Sequence, residues 1–138
     1  KGQATFYSIV NEKYKELPQL TGDGGLSSSH SGERTKVNFK VEIDALDNFV
    51  EHNLGEKKID LIKLDTEANE HRVLNGANNV LSEHRPIIQC EILKGQIEKE
   101  ILEILSGYKY LYYRTSDEGL IEVDSFEHNP TKFMDYYL

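Results

Sequence analysis

The feature that most narrows the fold is an alternation of elements through the middle of the chain. Ile59-Asp60-Leu61-Ile62-Lys63-Leu64 is a mostly apolar run between a turn and a helical stretch, as a strand buried on both faces would be. Val73, Leu74, Ala77, Val80 and Leu81 then recur at helical spacing, which predicts a helix over 69–84 closed by Arg85-Pro86. Residues 87–92 read as the next strand. A helix over 96–106 follows, with Gly107 as its C-terminal cap, and 108–114 reads as a third strand. Strand, helix, strand, helix, strand implies parallel neighbours joined by right-handed helical crossovers. The expected fold class is therefore α/β with a mainly parallel sheet, in one domain spanning 1–138.

The flanks add detail. Residues 4–10 are rich in β-branched and aromatic side chains and read as a strand. In 36–43, Val37, Phe39, Val41 and Ile43 alternate with polar residues, which predicts a half-buried strand. Asp44 reads as the N-cap of a short helix whose Leu46, Phe49 and Val50 face inward. Between these strands, 11–35 is a polar stretch holding Gly22-Asp23-Gly24-Gly25 and Ser27-Ser28-Ser29, read as a long loop. Asp117-Glu118-Gly119 predicts a hairpin turn, and 133–138 a final strand. The chain enters its first strand almost at once, so the strands preceding it are expected to be missing. The edge of the strand at Ile59 would then lack a neighbour, which predicts a homo-oligomer formed through that edge.

Composition restricts the partners. Across 138 residues the formal net charge is −8, which disfavours nucleic acid and anionic membrane surfaces. No apolar stretch approaches the ~20 residues of a membrane span. Glu98, Glu100 and Glu103 oppose membrane binding by the amphipathic helix they sit on. A single cysteine, Cys90, forbids an internal disulfide and permits a reducing compartment, so a cytoplasmic protein is expected. Cys90 itself lies in an apolar strand and reads as a small core residue. His52, His71, His84 and His128 lack metal-ligand spacing, His71 and His84 reading as surface residues of a helix, and no metal is expected. Tyr108, Tyr110, Tyr112 and Tyr113 read as sheet packing rather than base stacking.

Parallel sheets place their sites at the carboxyl ends of strands. After Leu64 comes Asp65-Thr66-Glu67-Ala68-Asn69-Glu70, three carboxylates in six residues, and Glu91 lies near the end of the next strand. Three roles fit. Asp65 or Glu67 serves as a general base toward a hydroxyl; the carboxylates hold a hard cation; or Asp65 caps the next helix while Glu67 and Glu70 favour its positive end.

The stretch from Ile59 to Glu70, with Val73-Leu74-Asn75-Gly76-Ala77 after it, resembles the signature of the FkbM-type methyltransferases, I-D-x-I-K-x-D-x-E-G-x-E and then V-L-x-G-A. Val41 to Phe49, with its Leu46-Asp47 pair, resembles the segment before that strand. Arg85-Pro86-Ile87-Ile88-Gln89-Cys90-Glu91 is similar to the family's R-P-x-I-x-x-E strand, and Gly107-Tyr108 to its Gly-Tyr. The resemblance covers most of 37–110. It implies a Rossmann-like fold, S-adenosylmethionine as methyl donor, and transfer to a hydroxyl of a small molecule or glycan. It places Asp65 and Glu67 as catalytic residues and Glu70 on the substrate. It also places Ser27 and Ser28, in the loop before the strand at Lys36, on the substrate side, where His30 is a further proton acceptor; a solvated loop is the plainer reading of these residues. Ala68 stands where the family has glycine, which would strain a left-handed backbone. The glycine-rich turn that approaches the donor is expected to be absent, so this chain alone should bind the donor poorly. The alternative is a noncatalytic α/β binding or scaffold module derived from the same fold.

Overall fold

The computed structural model describes residues 1–10, 20–26, 36–93, 95–126 and 134–138. The chain divides into two compact units, 1–44 and 45–138.

The first unit is a three-stranded antiparallel sheet in the order β2-β1-β3, with β1 Gly2–Val10, β2 Leu20–Gly25 and β3 Lys36–Ile43. The Gly22–Gly25 run, expected in a loop, belongs to β2. Its glycines suit close strand approach: a Cβ on Gly24 would lie 2.6 Å from the Phe6 ring. Phe6 opposes Phe39 in register, and their rings stack at 5.5 Å. Despite that contact the apolar side of β3 stays open, with Val37, Phe39 and Ile43 each about 40% exposed, so the strand is less buried than its alternation predicts. The N-cap of α1 is Ala45 rather than Asp44, whose carboxylate lies 3.6 Å from the N-terminal amine of Lys1.

The second unit carries the main core and a five-stranded sheet in the order β4-β5-β8-β6-β7. Its elements are α1 Leu46–Asn53, β4 Leu61–Leu64, α2 Glu70–Asn75, a π-helical turn Val80–His84, β5 Ile87–Glu91, α3 Glu98–Leu105, β6 Tyr112–Ser116, β7 Gly119–Val123 and β8 Asp135–Tyr137. The expectation of a mainly parallel, Rossmann-like α/β sheet is overturned. Of the six strand pairs among the described residues, only β4 with β5 is parallel. The reason is β8. It returns from the end of the chain and pairs antiparallel with both β5 and β6. Ile88 and Leu138 exchange backbone hydrogen bonds at 2.9 Å in each direction, and the Ile92 N–H reaches the Met134 carbonyl. The strand–helix–strand logic thus gave β6 the direction of β5 but not its place beside it.

The predicted helix over 69–84 breaks at Gly76, where the chain passes close to the start of α1. A Cβ on Gly76 would lie 3.2 Å from Cβ of Ala45, and the Asp47 N–H donates to the Gly76 carbonyl at 2.9 Å. The Asp47 carboxylate then accepts the N–H groups of Asn79 and Val80, each at 3.0 Å, and so caps the second helical piece from a distant part of the sequence. That piece ends in a wide turn, with Arg85 N–H donating to Val80 O and Arg85 left-handed at φ 51°. His84, expected at the surface, is half-buried and accepts the Ile59 N–H at Nδ1. Leu74, Leu81, Ile88, Ile101 and Leu105 are buried at 1% exposure or less, fixing the helices to one face of β4 and β5. The left-handed residue after α3 is Lys109, at φ 56°, rather than Gly107, and β6 therefore starts only at Tyr112.

Candidate functional site

The carboxyl ends of β4 and β5 lie side by side because the two strands are parallel, with Lys63 opposite Gln89 and Leu64 opposite Cys90. The residues that follow, Asp65 and Glu91, are thereby brought to one end of the sheet. β8 adds Asp135, which opposes Glu91 in register. Gln89 donates to Asp135 at 3.3 Å, and Thr115 Oγ1 donates to the Asp135 carbonyl at 3.0 Å. Asp135 had no signal in the sequence beyond being the polar residue of an apolar tail; only the non-local pairing of β8 delivers it.

Lys63 donates to Asp65 at 3.1 Å, and both side chains are about half exposed or more. That hydrogen bond and the Asp65 charge hold the Lys63 ammonium above its ordinary range, against a small opposing effect of burial. Partial burial, then the charges of Asp65, Glu67, Asp135 and Glu70, push the Glu91 carboxyl up. Burial does the same to the Cys90 thiol, with Glu70, Asp135 and Glu91 adding to it, so Cys90 is a core residue and not a thiolate.

The turn after β4 is unusual. Glu67 and Ala68 are both left-handed, at φ 57° and 63°, a conformation in which a Cβ crowds the following carbonyl. The position where the related signature carries glycine is one that favours glycine. Ala68→Gly is expected to stabilise the chain by about 0.5–1 kcal/mol, because relief of the left-handed strain outweighs the gain in unfolded-state freedom. Urea unfolding would register this as a higher midpoint at unchanged slope; a lower midpoint would mean that the packing of the Ala68 methyl against the core matters more.

Two side chains strap this turn. Glu70 Oε1 accepts the Thr66 N–H at 2.5 Å and the Thr66 hydroxyl at 2.9 Å. Asn69 Nδ2 donates to the carbonyls of Thr66 and Glu67 at 3.0 and 3.1 Å. Glu70 is only 1% exposed. Of the residues singled out in the sequence, Asp65 and Glu67 thus stand at the strand end with Glu91, while Glu70 lies beneath the turn. Ser27, Ser28 and His30 fall outside the described residues. Among the described residues, no three His, Cys, Asp or Glu side chains converge as a metal-binding group.

A donor nucleoside would need a glycine-rich turn between a buried strand and a helix. The described residues do not fit that requirement: the glycines of β2 are in an antiparallel ladder, and the left-handed Gly55, Gly95 and Gly119 are single turn residues. No helix among the described residues is long and apolar enough to cross a membrane.

No curated protein and no solved structure matches the chain significantly. The family model of the methyltransferase FkbM domain matches residues 1–113, from the first strand into β6, and the chain belongs to that methyltransferase family.

Proposed function

We propose that this chain forms the acceptor side of an S-adenosylmethionine-dependent methyltransferase that transfers methyl to a hydroxyl of a small molecule or glycan. The observation that carries the reading is that the parallel pairing of β4 with β5 brings Asp65 and Glu91 to one end of the sheet, where the charges of Asp65 and Glu67 both act on the Glu91 carboxyl, in a chain of the FkbM family. A hydroxyl becomes a competent nucleophile as its proton leaves, and a carboxylate within hydrogen-bond reach takes that proton. Asp65 and Glu67 are assigned this task, and Glu91, whose carboxyl is held above its ordinary range, supports it with a more basic group. A bound sulfonium donor would supply the methyl group, while Asp65, Glu67 and Glu91 would orient the acceptor and receive its proton.

The reading is tested by offering the complete gene product radiolabelled S-adenosylmethionine with a panel of hydroxylated small molecules and glycans. Label found only on amines or thiols would sink hydroxyl transfer. A second reading is a noncatalytic module of the same ancestry. Calorimetric titration of S-adenosylmethionine and its demethylated product into this chain is expected to give no binding tighter than ~1 mM. Tighter binding would overturn the assignment of the acceptor side alone.

A further inference from the structure

We infer that Glu70 is a positioning residue: its buried carboxylate anchors Thr66 and thereby fixes the carboxylates of Asp65 and Glu67, the residues on either side of it. This rests on reading Asp65 and Glu67 as the acceptor-side groups. A residue 1% exposed, beneath the turn, is shut off from any acceptor, so Glu70 acts through Thr66 rather than on the substrate.

The chemistry of the buried group explains why a carboxylate stands there. Oε1 takes two hydrogen bonds from Thr66, at 2.5 and 2.9 Å, whereas Oε2 is buried with no hydrogen-bond partner among the described residues. An orphaned carboxylate oxygen is costly. Its retention is intelligible if the charge tightens the bonds made by Oε1, since ionised acceptors hold N–H and O–H donors more strongly and at shorter range. What those bonds hold is a backbone that would otherwise relax. Glu67 and Ala68 lie at φ 57° and 63°, and strained residues persist only where neighbouring structure over-determines them. Glu70 grips the turn at Thr66, and Asn69 grips it at the carbonyls of Thr66 and Glu67. The charges of Asp65 and Glu67 consequently bear on Glu91, together with those of Asp135 and Glu70, while Lys63 is a cation among the described residues that feels the Glu91 charge.

The experiment compares Glu70→Ala with Glu70→Gln in the full chain by NMR. Glutamine keeps an acceptor for Thr66 and alanine does not. In Glu70→Ala the Thr66 amide is expected to exchange roughly tenfold faster or more, while the Ile88 amide, bonded to Leu138 in the core sheet, keeps its protection. Glu70→Gln should restore most of the protection at Thr66. Both variants remove the Glu70 charge, but only alanine releases the turn, so the Glu91 titration midpoint should fall further in Glu70→Ala. Unchanged Thr66 protection in Glu70→Ala would overturn the inference. So would equal losses at Thr66 and Ile88, which mark a merely structural role, or alanine and glutamine variants that match at Thr66. Failure of the methyl-transfer reading would appear in the acceptor assay and leave these amide and carboxyl measurements unaffected.

Discussion

Asp65→Asn and Glu67→Gln, made singly in the complete gene product, are expected to lower methyl transfer, the one that removes the base by about 10²–10⁴-fold. Both changes preserve volume and remove the ability to accept a proton. The exposed Asp65 and the half-buried Glu67 both stand at the end of β4, so neither change opens a cavity in the core. The larger loss identifies the base. A loss below about threefold in both would sink the assignment, since a general base contributes far more than that. A second readout separates a chemical effect from a folding one. Asp65 is the largest of the neighbouring charges that raise the Glu91 carboxyl, after burial itself. Asp65→Asn should therefore lower the Glu91 midpoint toward the ordinary carboxylate range. The sign for stability follows. A carboxyl raised in the folded chain favours folding below its ordinary range, and that contribution is lost as pH rises through the folded midpoint. Asp65→Asn narrows this window, so the stability of the variant should fall less between mildly acidic and neutral pH than that of the unaltered chain.

How much of this is legible in the sequence depends on the range of the interaction responsible. Local patterns were legible. Alternation marked β3 and the apolar run marked β4 as strands, though not their burial, since Val37, Phe39 and Ile43 of β3 and Leu61 of β4 are exposed; helical spacing marked α2 and α3, and Asp117-Glu118-Gly119 marked the β6–β7 turn. Each is set by the chain's own periodicity and turn chemistry. The parallel sheet was not a sound deduction, because periodicity reports an element and its faces but not which strand lies beside it. β8 is three residues long, and its insertion between β5 and β6 is decided by pairing across the whole second unit. The same limit applies to the site. Asp65, Glu67 and Glu91 could be read as strand-end acids from their own neighbourhoods. Asp135 could not, since only β8 carries it to Glu91. Glu70 was legible as an acid near a strand end but not as a buried strap, because burial depends on how the turn at Glu67 and Ala68 folds back over it. Likewise, the break at Gly76 lies within an apolar stripe that continues unbroken through Ala77, Val80 and Leu81. Its cause is a carboxylate some thirty residues upstream, at Asp47.

That carboxylate carries the largest single stability effect expected outside the apolar core. Asp47→Ala should destabilise the chain by about 2 kcal/mol, from losing an N-cap whose acceptor is charged. The two amides it accepts, from Asn79 and Val80, are first-turn donors with no helical partner of their own, and Val80 is buried. The clasp is two-sided. Asp47 N–H donates to the Gly76 carbonyl, and the close approach of Ala45 to Gly76 leaves little room for any side chain at that position. The Leu-Asp pair near the start of the signature and the Gly-Ala pair near its end are therefore one joint in this chain, which places them among structural rather than chemical residues. Asp47→Asn tests the mechanism. An amide retains one acceptor oxygen but turns an N–H₂ toward the second backbone donor, so its cost should equal or exceed half that of alanine. Urea unfolding monitored by far-ultraviolet circular dichroism would measure both. If both variants unfold within about 0.3 kcal/mol of the unaltered chain, at unchanged slope, the carboxylate is not what holds the second helical piece in place. If asparagine costs more than alanine, the misplaced donor dominates, and the two first-turn amides are better satisfied by water than by an imperfect cap.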